Sequence, residues 1–154
     1  MGYEFRGFGG QIRISVKKLN VFKQRVSEIF RRNQGRSMNS RFAEFRSYAR
    51  GWLSYFSLEQ VKTTLRDLDK WLRRRVRACY WKQWRKSKTR LAKLRCLGVS
   101  SDVARGSAMS GKGAWRLSKT AVVQRTLTIE YLTEAGLLNL ERYWEKFASS
   151  RRTT

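Results

Sequence analysis

Histidine does not occur in these 154 residues, which removes the commonest general base, the histidine-containing triads and the usual zinc ligand. Only two cysteines are present, Cys79 and Cys96. Their spacing matches no paired zinc-ligand motif and offers no disulfide framework, so both read as reduced structural thiols. No stretch approaches the ~18 apolar residues of a membrane span, and no signal-peptide pattern opens the chain. A soluble cytoplasmic protein without a membrane partner is expected. Acidic residues are scarce: eleven Asp/Glu face thirty-five Lys/Arg, a formal charge of +24. Neither a metal nor a cofactor site is expected, and catalysis by this chain alone is not.

What is present can fold. Hydrophobic residues make up 41% of the chain and twenty positions are aromatic, well outside the apolar-poor composition of disordered chains. The length suits one domain or two small ones packed together. A body with such a cationic excess repels itself and attracts polyanions over long range. Nucleic acid is preferred over an anionic membrane or an acidic protein tail.

Tyr3, Phe5, Ile12, Ile14 and Val16 alternate around Gly9-Gly10, a hairpin signal. The hairpin is expected to pack on helices or to have paired with a sheet beyond this chain. From there the period is helical and no proline interrupts it. Leu19, Phe22, Val26 and Ile29 draw the first stripe, stopped by Asn33-Gln34-Gly35. Met38, Phe42, Phe45, Ala49, Trp52 and Phe56 draw the second, with Ser37 or Asn39 as cap and Gly51 hinting at a close neighbour. A third helix starts near Gln60, carries Val61, Leu65, Leu68, Leu72, Val76 and Cys79, and runs to about Lys86. A fourth, with Leu91 and Leu94, stops at Gly98. Ser100 or Ser101 caps a short one, Ser118 starts another that runs to Gly136, and the last carries Leu140, Tyr143, Trp144 and Phe147. Residues 149–154 are expected to be a disordered tail.

Between Lys70 and Ser101 lie twelve Lys/Arg and no acid, and extension to Arg125 adds five cations and only Asp102. Mixed-sign runs are usually solvated helix faces laced by i,i+4 pairs, whereas a single-sign run destabilises its helix unless something outside compensates. Arginine outnumbers lysine, and its planar fork suits bidentate phosphate contacts. Phosphate binding is therefore assigned to Arg73, Arg74, Arg75, Arg77, Lys82, Arg85, Lys86, Lys88, Arg90, Lys93 and Arg95, the first four placed on faces left free by Leu72, Val76 and Cys79. Trp71, Tyr80, Trp81 and Trp84 interleave with them. Stacking on bases is one reading, but core packing is favoured, because Trp81 and Trp84 share one helix face.

Asp67 and Asp69 sit two apart on a helix, project about 200° from each other and cannot share a metal pair. They read as surface carboxylates, with Asp69 paired to Arg73. Ser110-Gly111-Lys112-Gly113 lacks the spacing and preceding strand of a nucleotide-binding loop. It reads equally as a plain turn or as a phosphate contact, with Lys112, Arg116 and Lys119 as candidates for RNA or DNA phosphate.

Gly51-Trp52-x-x-Tyr55-Phe56, Leu68-Asp69-x-Trp71-x-Arg73-Arg74-Arg75 and Trp81-Lys82-Gln83-Trp84-Arg85 together resemble the maturase-specific region of bacterial group II intron reverse transcriptases. Lys88-Thr89-Arg90, Leu97-Gly98-Val99-Ser100, Gly111-Lys112-Gly113-x-Trp115-Arg116 and Gly136-Leu137 continue the likeness, from about Ile12 to Phe147. The resemblance implies a mainly α fold: a helical thumb-type bundle with a short N-terminal β-hairpin and a small basic helical C-terminal part. It also implies a division into a hairpin remnant of a palm (1–16), a thumb or X domain (17–97), a basic DNA-contacting segment (98–148) and a tail (149–154). The implied function is binding of structured group II intron RNA to assist splicing, with target DNA as a further partner. The family's polymerase motif and a histidine-bearing nuclease module do not occur here, so polymerisation would need a palm domain in trans. A non-specific RNA chaperone and a membrane-active cationic protein are the rival readings.

Overall fold

In the computed structural model of the protein, which describes residues 3–6, 11–56 and 62–153, one antiparallel strand pair precedes a series of helices. Strands β1 (Tyr3–Arg6) and β2 (Gln11–Ile14) pair Tyr3 with Ile14 and Arg6 with Gln11. The Gly9-Gly10 turn lies outside the described residues. A lone hairpin is marginal in water, and Tyr3 anchors this one. Its ring meets Phe56 edge-on at 5.2 Å, and its hydroxyl donates to the Tyr55 carbonyl at 3.2 Å.

The helices are α1 (Val16–Ile29), α2 (Met38–Tyr55), α3 (Lys62–Gln83), α4 (Ser87–Cys96), α5 (Ser101–Ala108), α6 (Ala114–Leu117), α7 (Ala121–Thr126), α8 (Ile129–Glu134) and α9 (Leu140–Arg152). The protein is thus mainly α, as its periodicity dictates. Ser37 is the N-cap of α2, its hydroxyl accepting from the Ser40 N–H at 3.2 Å. Val16 does not extend the strand alternation; it opens α1 and is exposed. Val61 and the expected start of α3 near Gln60 lie outside the described residues.

Two compact units interleave along the chain. Unit 1 takes Met1–Ile29, Arg36–Leu72 and Gly136–Thr154; unit 2 takes Phe30–Gly35 and Arg73–Ala135. The boundary expected at residues 97 and 98 therefore falls inside unit 2. The core of unit 1 is built from the stripes of α1 and α2, with Phe22 at its centre against Phe45, Tyr48 and Trp52. Arg41 is also fully buried there, donating from Nη1 to the carbonyl of Ile29, the last residue of α1, at 3.3 Å. In unit 2 the Cys79 thiol donates to the Phe30 carbonyl at 3.0 Å. That bond ties the short segment after α1 to the second half of α3.

Several expectations need correction. Asp69 is not a surface carboxylate paired with Arg73: it is buried and accepts from the N–H groups of Leu140 and Glu141, at 3.0 Å each, at the start of α9. Those donors have no intrahelical partner and the helix end is positive, so an aspartate is a natural cap. α3 ends at Gln83 instead of continuing to Lys86. Ser118 starts no helix; buried at the end of α6, it donates its hydroxyl to the Trp115 carbonyl at 2.7 Å. The stretch it was expected to open divides at Leu127, and Thr128 caps α8 by accepting from the Tyr131 N–H at 3.1 Å. α9 runs to Arg152, so residues 149–152 are helical where disorder was expected.

Two glycines have opposite roles. Gly98 follows α4 with φ +89°, donating to the Arg95 carbonyl while Val99 donates to that of Leu94, both at 3.0 Å. This left-handed closure favours glycine. Gly51, mid-α2, does not pack closely on a neighbour: it is exposed, and an added Cβ would meet nothing within 4 Å. Gly51→Ala is therefore expected to stabilise the protein by about 0.5–1 kcal/mol, and Gly98→Ala to destabilise it by about 1 kcal/mol. Urea unfolding of the two variants measures both signs; a loss of stability in Gly51→Ala would contradict the open space seen around it.

Candidate nucleic-acid interface

The two units carry very different charge. Unit 2 has eighteen Lys/Arg and three acids, Asp102, Glu130 and Glu134; unit 1 has seventeen Lys/Arg and the other eight acids. In unit 1 five of the acids form ion pairs within the unit. Arg25 pairs with Glu28 and Glu44, Arg36 with Glu44, Lys62 with Glu145, Arg66 with Glu141 and Lys70 with Asp67. In unit 2 the cations outnumber the carboxylates sixfold, so most of them have no acid within the unit to pair with. Each exposed one keeps its attraction for an external anion.

α3 brings the first group of candidate residues to unit 2, and folding turns some of them inward. Arg77 does not lie on a free face. It is 8% exposed and donates from Nε to the Leu127 carbonyl at 2.8 Å. Leu127 ends α7, where unsatisfied carbonyls concentrate negative potential. Burial, and then the neighbouring Arg73, push the Arg77 pKa below the usual arginine value. Arg74 lies over the Trp115 ring at 3.9 Å and donates to the Trp115 carbonyl at 3.3 Å. Arg75, partly buried, is likewise lowered by burial, with Arg32 adding like-charge repulsion. Arg73 is partly buried as well.

From the last turn of α3 onward the candidates face solvent. Lys82, Arg85, Lys86, Lys88, Lys93 and Arg95 are all exposed, and none forms an ion pair among the described residues. The local break explains this. Trp84 is buried, and Lys86 is extended as the N-cap position of α4. Arg90 is the exception: it donates from Nε to the Trp84 carbonyl at 2.8 Å and stands over the Trp81 ring at 5.1 Å, closing the end of α3. In α4 only Leu94 is buried. Lys88 and Arg95, seven residues apart, fall on one face about 10 Å apart along the axis, with Lys93 about 140° round from Lys88.

Lys112, Arg116 and Lys119 are exposed around the turn into α6, where the Lys112 N–H donates to the Ser110 hydroxyl at 3.3 Å. Local sequence gave no sign of Arg31 and Arg32, which belong to unit 2, where the preceding Phe30 carbonyl accepts from Cys79. Exposed Arg105 and Arg125 were visible as cations but not as members of the site. The aromatic residues went to packing: Trp81 is 0% and Trp84 7% exposed. Tyr80 lies 6.2 Å from both Trp84 and Tyr131, and burial, then Tyr131, raise its pKa to about 12.

Residues 19–97, just over half of the chain, match the family model of the group II intron maturase-specific domain. The chain belongs to that family. No curated protein matches it. The maturase-specific domain so placed runs from within α1 through α4 and ends one residue before Gly98. It contains every candidate cation from Arg73 to Arg95, whereas Lys112, Arg116 and Lys119 lie beyond it. A maturase-specific domain is not in itself a catalytic domain. No described helix is long and apolar enough to cross a membrane.

Because Arg77 is held by a carbonyl inside its own unit, its replacement separates fold from binding. Arg77→Met keeps an apolar stem and leaves the Leu127 carbonyl without its donor, at an expected cost of about 1–3 kcal/mol. RNA affinity of the folded variant is expected to match the parent within about twofold, since fewer than one phosphate contact is lost. Calorimetric unfolding and filter binding on the same sample check this. A large affinity loss at unchanged stability would return Arg77 to the interface.

Proposed function

We propose that this maturase-specific protein binds structured group II intron RNA through the exposed cations of unit 2 and assists the folding that splicing requires. The observation that carries the reading is the sixfold excess of cations over carboxylates in unit 2, with Lys82, Arg85, Lys86, Lys88, Lys93 and Arg95 exposed inside the family-matched residues. In this reading 17–97 is the RNA-gripping part. Residues 98–148 supply a second contact, to RNA or target DNA, through Lys112, Arg116 and Lys119. Any polymerisation would depend on a palm domain in trans, and no cofactor is called for.

Filter binding to a group II intron transcript tests the proposal. With six or more phosphate contacts, affinity is expected to fall roughly 10³-fold between 50 and 200 mM salt. A profile flat in salt contradicts the reading. Competition with an unrelated structured RNA separates a maturase from a general RNA chaperone: the maturase prefers its intron many-fold, and the chaperone does not.

A further inference from the structure

Between Gln83, the last residue of α3, and Ser87, the first of α4, the chain has only Trp84, Arg85 and Lys86 in which to turn. Trp84 donates back to the Tyr80 carbonyl at 3.0 Å and Arg85 to that of Gln83 at 2.8 Å. The Trp84 carbonyl itself lies past the end of α3, where no intrahelical N–H reaches it. Arg90 meets it from within α4, its Nε donating at 2.8 Å, and the same guanidinium lies over the Trp81 ring at 5.1 Å. Trp81 and Trp84 are buried, their rings 6.0 Å apart. Arg90 is thus seated on two groups fixed in the core of unit 2.

α4 needs that seat. Four of its ten residues are cationic and none is acidic, and no side chain caps its N-terminus. A helix this short is marginal alone, and Arg90 has like charges one turn away on either side, Lys86 and Lys93. Buried Leu94 anchors the far end, where Val99 donates to its carbonyl at 3.0 Å. A helix held at one point can pivot. Arg90 supplies the second point, and two points fix its direction.

We infer that Arg90 is a positioning residue of the RNA-binding face. Seated on Trp84 and Trp81, it fixes the corner between α3 and α4, so that Lys82, Arg85 and Lys86 meet phosphates at a set distance from Lys88, Lys93 and Arg95. This role rests on the RNA binding proposed above and specifies how that face is held. Ordering one loosened backbone residue on binding costs roughly a factor of ten in affinity. A folded RNA, with its phosphates at set places, incurs that cost when the corner is slack. A flexible single strand follows the cations wherever they lie.

Arg90→Lys keeps the charge but has no donor at the Nε position. The full chain, parent and variant, is titrated with a group II intron transcript and with oligouridine across roughly 50–200 mM salt. Arg90→Lys is expected to bind the transcript about tenfold more weakly and oligouridine within about twofold of the parent, with the salt slope unchanged. Were Arg90 a phosphate contact, lysine would serve nearly as well, and Arg90→Met would lower the salt slope by about 1. Were it merely structural, the folded variant would bind both RNAs as the parent does. Either result, or an equal loss for both RNAs, overturns the inference. If the variants do not fold, the parent with isotope-labelled arginine decides by nuclear magnetic resonance. Its Arg90 Nε–H is expected to stay protected from exchange and unshifted when the transcript binds, and a shift as large as that of Arg85 overturns the positioning role. A parent that binds neither RNA removes the proposed function, and this role falls with it.

Discussion

Asp69→Ala is expected to destabilise the protein by about 3 kcal/mol, lowering its melting temperature by roughly 6–12 °C. The carboxylate is 3% exposed, and its two oxygens accept from two successive N–H groups at the start of α9. Alanine leaves both donors without their acceptor. Hydrogen bonds to a charged group are worth about 1.5–3 kcal/mol, and the positive end of the helix adds up to ~1 kcal/mol. Asn139 still accepts from the Arg142 N–H at 2.9 Å, so α9 keeps one cap and the loss is not total. Asp69→Asn retains one acceptor but turns an amide N–H toward the other donor, and recovers less than half of the loss. Thermal unfolding followed by circular dichroism reads both variants. A deficit below about 1 kcal/mol for alanine would mean that α9 is held by its apolar face alone.

The second large effect concerns RNA. Lys88→Ala, Lys93→Ala and Arg95→Ala combined are expected to weaken RNA binding roughly a hundredfold, at about 1 kcal/mol per lost contact. The slope of log affinity against log salt should shrink by about 3. All three side chains are exposed on α4, where Leu94 alone is buried, so helicity and unfolding midpoint should hold. Unchanged affinity would remove α4 from the interface. Replacing Arg73, Arg74 and Arg75 would be a poorer test, because Arg74 is engaged with Trp115 and burial already perturbs Arg75.

Those two triplets show how far a linear reading reaches. The acid-free run was plain in the sequence, and so was its cationic sign. Which members face outward was not. Arg73 to Arg77 were placed by elimination on whatever the apolar stripe left free, yet Arg77 is held by the Leu127 carbonyl, fifty residues away, and Arg90 by that of Trp84. An arginine can be buried at low cost when carbonyls at a helix end meet its donors, and those carbonyls come from other elements.

The helical stripes, a cap at Ser37 or Asn39, the Gly98 and Gly136 stops and the mainly α class follow from side-chain period and local backbone preference. Neither depends on distant residues, and the amino-acid order therefore settled them. Tertiary contact decided the rest. It made Asp69 a cap for α9, 71 residues further on, joined Arg31 and Arg32 to unit 2, filled the space around Trp81 and Trp84, and gathered eight of the eleven acids in unit 1. A hydrogen bond or a burial needs two groups at one place in space, and sequence specifies only one of them at a time.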